Sequence, residues 1–91
     1  MVMKLPAAFQ PSPEIRSVVE PAGVRLIHGQ SETVLGYPEA AIWDMAVRGY
    51  ELARIVDTLH HIIEVTPAHA EQIALDTLQM LSERGFGSQG Q

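Results

Sequence analysis

The chain has no cysteine. That excludes a disulfide scaffold, a cysteine-type zinc finger and a thiol nucleophile, and it fits a reducing cytosol. Basic residues are scarce: six Lys and Arg stand against eleven Asp and Glu, a net charge of −5. Binding to nucleic acid needs a basic face, so that reading falls. Mild acidity by itself is ordinary solubility chemistry. No apolar run approaches the ~20 residues of a membrane span. Aromatics are few, two Phe, two Tyr and one Trp, so aliphatic side chains must fill the core. There is no nucleophile-plus-base motif, no phosphate-binding Gly loop and no paired-carboxylate signature. Neither catalysis nor a cofactor is expected.

Four histidines raise the question of a metal. His60 and His61 are adjacent and point about 100° apart on a helix. His60 and Glu64 form an i, i+4 pair, but two ligands do not close a zinc site. His28 and His69 are isolated in sequence. These read as surface histidines, and no metal is expected.

What is present suits one small domain: 91 residues, 46% hydrophobic and 19% charged. Residues 1–16, with Pro6, Pro11 and Pro13, read as an extended arm rather than a signal peptide or anchor. Leu5 and Phe9 give that arm a reason to pack back on the domain or on a second copy. Residues 17–86 hold the domain, and the tail 87–91, "GSQGQ", is expected to fray.

Val18-Val19, then Val24 to His28 and then Thr33 to Leu35 read as two or three short antiparallel strands. Pro21-Ala22-Gly23 supplies one turn and Gly29 to Glu32 the other. After Gly36-Tyr37-Pro38 the period changes. Pro38 suits a first helical turn, Ile42, Met45 and Ala46 form a stripe with Trp43 beside it, and Gly49 is a stop. Leu52, Ile55, Val56, Leu59, Ile62 and Ile63 keep helical spacing. Thr66-Pro67 reads as N-cap and N1 of a third helix, whose stripe is Ala70, Ile73, Ala74, Thr77, Leu78 and Leu81 and whose stop is Gly85. The fold class is therefore α+β, a small winged-helix-like domain of two to three antiparallel strands followed by three helices.

A small sheet has edges, and each carries unpaired backbone groups. The stretch "ETVLGYPEAAIWDM" sends its last strand into a helix with almost no loop. If that strand is the edge, it can take an extended peptide as an added strand. The candidate peptide-binding residues are Thr33, Val34, Leu35, Gly36 and Tyr37. On the third helix Asp76 and Met80 lie one turn apart on one flank of the stripe. Methionine is adaptable enough to line a peptide site, and aspartate can hold a basic residue of the peptide.

Four segments in this order carry a family resemblance: "VRLIHGQSETVLGYPEAAIWDM", "RGYELARIVDTL", "TPAHAEQIALDTLQML" and the closing "ERGF". Together they resemble the PqqD family, named for a protein of pyrroloquinoline quinone biosynthesis. The resemblance spans about two thirds of the chain, Val24 to Phe86. It implies a peptide chaperone, a recognition element for ribosomally made, post-translationally modified peptides (RiPPs). Such a domain binds the leader of a precursor peptide against its third strand and third helix. It presents the peptide to a modifying enzyme, such as a radical-SAM protein or a peptidase. On this chain the resemblance assigns that role to residues 33–36 with Asp76 and Met80. The sequence departs from the family at Gly36-Tyr37, where Leu-Asn is frequent. The rival is a winged-helix-derived protein–protein module with no leader role, and DNA binding ranks below both. An open edge and a proline-containing arm are also the ingredients of strand exchange, so a homodimer stays open.

Overall fold

The computed structural model describes residues 9–88. Five strands and three helices follow in the order β1 (Gln10–Pro11), β2 (Arg16–Glu20), β3 (Gly23–His28), β4 (Ser31–Leu35), α1 (Glu39–Val47), α2 (Leu52–Ile62), α3 (Pro67–Glu83) and β5 (Gly87–Ser88). This is an α+β domain, as expected. β2, β3 and β4 form an antiparallel meander with β3 in the centre, and β1 pairs with β5 in a separate two-stranded ribbon.

One turn is tighter than the sequence reading. Ser31 and Glu32, taken as loop, already belong to β4, and only Gly29-Gln30 lie between the strands. Gly29 has a φ of 63° while Gln30 does not enter positive φ. That is the II′ pattern, whose twist matches the flanking strands.

The helices follow their apolar spacing. Ile42, Met45 and Ala46 are buried on α1 together with Trp43. Pro38 stands just before the first helical residue, and its carbonyl accepts from Ile42 N–H at 3.1 Å. On α2 the core residues are Leu52, Ile55 and Leu59, with Val56 and Ile63 partly buried. Ile62, expected in that stripe, is exposed; it is the last residue of α2, and the neighbouring layer no longer covers it. Thr66 caps α3 by accepting from His69 N–H at 3.1 Å, with Pro67 at the first helical position. Ala70, Ala74, Thr77, Leu78 and Leu81 are buried, while Ile73 is half-buried.

The ends of the described chain are tied down. Phe9 is buried and meets Trp43 edge-on, with ring centroids 6.3 Å apart. Ser12 N–H donates to the Phe86 carbonyl, and the Ser12 hydroxyl donates to the Gly85 carbonyl. Gly87 and Ser88, expected to fray, instead pair with Pro11 and Gln10. Arg16, placed with the arm, opens β2. Residues 1–8 of the arm, with Leu5 and Pro6, and the tail from residue 89 lie outside the described residues.

Candidate functional site

β4 has one partner, β3, so among the described residues its other side is unpaired. Which of its groups are free follows from the turn. A two-residue II′ turn closes on a hydrogen-bonded pair, here His28 and Ser31. Antiparallel pairs then alternate between bonded and non-bonded. Leu26↔Thr33 and Val24↔Leu35 are bonded, whereas Ile27↔Glu32 and Arg25↔Val34 are not. The Leu35 carbonyl occupies the place a Cβ on Gly23 would need, so it does point into β3.

The outward N–H and C=O groups of β4 therefore belong to Glu32 and Val34. Thr33 and Leu35 spend theirs on β3. The Leu35 side chain is buried in the core as well. Gly36 has its carbonyl occupied by Ala40 N–H at 2.7 Å. The expected run of vacant groups along residues 33–36 is thus thinned to alternate positions: within it Val34 and the N–H of Gly36 face outward, and Glu32 joins from outside the expected run.

The two ends of this edge differ in chemistry. At the α1 end Tyr37 is 66% exposed, and Val34 is exposed on the outer face of the sheet. At the other end Ser31, Glu32, Glu83, Arg84 and Phe86 line an open cleft of about 410 Å³. Arg84 Nη1 reaches Thr33 Oγ1 at 3.4 Å across it. That contact joins the C-cap of α3 to the strand. Met80 lies four residues before Arg84 and Asp76 four before that, so all three share a flank. Met80 is half-buried; Asp76 is exposed and accepts from Gln72 Nε2 at 2.8 Å.

Glu32, Glu83 and Arg84 were not singled out from the sequence. The signal was present for Arg84, since Asp76, Met80 and Arg84 continue one i, i+4 series. Glu32 could be assigned only once the turn was known to be two residues long.

The outer face of the sheet is braced at its centre. Arg25 on β3 donates through Nε to Glu20 on β2 at 2.8 Å and through Nη1 to Glu32 on β4. Glu20 first and Glu32 second raise the guanidinium above its ordinary range. The pair of bridges ties β2 and β4 to one cation and opposes slippage of β4. The histidines serve local roles: His60 Nδ1 meets the Val65 carbonyl and His61 Nδ1 the Asp57 carbonyl. Among the described residues no three His, Asp or Glu side chains are grouped as a metal site. No helix there is long and apolar enough to cross a membrane.

Neither a family model nor a curated protein matches the sequence. Among solved structures the chain is similar to one described as lasso peptide synthetase B1 complexed with the leader peptide. The likeness has a TM-score of 0.83 at 25% identity and covers 89% of this chain and 98% of that one. The resemblance to PqqD-like recognition elements therefore holds at the level of three-dimensional structure.

Proposed function

We propose that this protein binds the leader segment of a ribosomally synthesised precursor peptide and holds it for a modifying enzyme. The observation that carries the reading is the unpaired β4 edge within a fold that matches, over nearly the whole chain, a protein complexed with a leader peptide. The leader adds to β4 as a fourth strand. Glu32 and Val34 exchange backbone hydrogen bonds with it, which gives affinity largely independent of sequence. Selectivity comes from side chains along the groove. Tyr37 and Val34 offer apolar contact at one end, Met80 adapts to a large side chain, and Asp76 attracts a basic residue. Thr33 and Leu35 hold the strand in place rather than touching the leader through their backbone, while the Gly36 N–H falls on the outward side by the same alternation.

On this reading the domain of residues 9–88 is a non-catalytic partner. It works without cofactor or metal, in the cytoplasm, beside an enzyme such as a radical-SAM protein or a peptidase. Strand addition tolerates many sequences, so the leader and the enzyme are identified by capture. The immobilised chain is incubated with lysate of the native host, and bound peptides are read by mass spectrometry. The expected result is a short genetically encoded peptide whose N-terminal part alone binds. Recovery of folded proteins but no such peptide overturns the leader reading and favours a general protein-interaction module.

A further inference from the structure

The sheet has a second edge, and it is less protected than the first. β2 pairs with β3 on one side, and among the described residues nothing pairs with its other side. β3 bonds β4 through Val24, Leu26 and His28, so it bonds β2 through Gly23, Arg25 and Ile27. Their partners are Glu20, Val18 and Arg16. The outward backbone groups of β2 are therefore those of Ser17 and Val19. Arg16, Ser17, Val18 and Val19 are all exposed, and Val19 is 85% exposed. Val19 lies directly opposite Val24, which packs against the core, so its side chain projects from the core-facing side of the sheet. The helical layer stops short of it. Natural edges are blunted by proline, a central charge or a bulge. β2 has none of these, and its pairing with β3 runs one-to-one over all five residues. Its charges stand only at its ends, and they are opposite in sign.

The strand reads Arg16-Ser17-Val18-Val19-Glu20. Laid antiparallel on a second copy of itself and centred on Val18, it is complementary to itself. Arg16 faces Glu20 of the other copy at both ends, and Ser17 faces Val19. The two valines at position 18 meet on the two-fold axis. Backbone parity agrees. Ser17 and Val19 both point outward, so they form the hydrogen-bonded pairs, and Val18 falls at the non-bonded pair where side chains come closest. Parity allows slips only in steps of two. One such slip brings Glu20 toward Glu14; the other puts Pro21, which has no N–H, at a bonding position.

We propose that β2 is a self-association edge, through which two copies join into a six-stranded antiparallel sheet. Both β4 edges stay free at its outer margins, so the proposal does not depend on the leader reading. A five-residue strand buries far less than the roughly 1,600 Å² of a standard interface, so the dimer is weak and concentration-dependent.

Sedimentation velocity of the full chain over a concentration series tests this. The expected result is a mass that rises toward the dimer and falls back to the monomer on dilution. Val18→Lys places two ammonium groups on the axis and should hold the chain monomeric. Arg16→Glu and Glu20→Arg should each be monomeric alone, by like-charge contact at both ends. Mixed one-to-one, the two variants place opposite charges at both ends and should regain association to the wild-type level. Circular dichroism of each variant confirms the fold. A chain that stays monomeric at every concentration overturns the proposal, as does a mixture of folded variants that does not regain association. So does dimerisation only after removal of residues 1–8, which would make that segment the occupant of the edge. Loss of the dimer on Val34→Pro would place the contact at β4 and also overturn it.

Discussion

Substituting proline at two neighbouring positions of β4 separates the groove from the scaffold. Val34 directs its N–H away from β3, and Thr33 directs its own into β3, opposite Leu26. Proline is tolerated on an edge strand where the lost N–H faces solvent. It also favours an extended residue before it, which Thr33 already is. Val34→Pro should therefore fold, with a melting temperature within a few degrees of the parent. In the complex it leaves a carbonyl of the bound leader without its donor. That costs about 1–3 kcal/mol, or about a 5- to 150-fold loss of affinity. Val34→Ala, which keeps the N–H, corrects for the lost side chain. Thr33→Pro strands the Leu26 carbonyl inside the sheet at a similar cost of about 1–3 kcal/mol, now subtracted from folding. At about 4–8 °C per kcal/mol for a domain of this size, its melting temperature should drop by roughly 4–24 °C. Calorimetric titration with the captured leader peptide reads the binding, and thermal circular dichroism reads the fold. Full affinity in folded Val34→Pro refutes strand addition at β4. Equal thermal losses in the two variants refute the hydrogen-bond alternation itself.

Asp76→Lys should weaken a leader that carries a basic residue at the matching site. An exposed attraction of up to about 1 kcal/mol is exchanged for a comparable repulsion, and the difference should shrink at high salt; a salt series of titrations shows it. Thr66→Ala removes the cap of α3 and should cost about 1 kcal/mol in urea unfolding, with no change in slope. Phe9→Ala empties the space beside Trp43 and should cost about 3–5 kcal/mol by the same measurement, together with a shift in tryptophan emission. Arg25→Met should change stability only slightly, because both of its bridges are partly exposed; thermal melts at low and high salt would show that small difference fade.

Those features of the fold that rest on local chemistry were legible in the sequence. Thr66-Pro67 announces a helix start through a side-chain oxygen and a ring without an N–H, and the structure has that cap. The stripe from Ala70 to Leu81 is one face of one helix, so spacing alone finds it. Features that depend on distant partners were not legible. Gln10–Pro11 and Gly87–Ser88 are two-residue strands far apart in sequence, too short for any period to reveal. The flank of α3 that faces β4 could not be read from a helical wheel, because the wheel has no outside reference. Arg84 against Thr33 fixes only the C-terminal end of α3 against β4. The last strand is a sheet edge, as expected; a turn read as four residues rather than two leaves Glu32 in the loop, and a run of four vacant residues overlooks the alternation of bonded and free groups along any strand.

The pairing of Gln10 with Ser88 brings the two ends of the described chain side by side. A linker of a few residues would span them, so a circularly permuted version opened at Gly29-Gln30 should retain the same sheet and helices. It also means that cargo fused ahead of residue 9 or behind residue 88 would leave the domain from a single exit point, beside Phe9 and Trp43.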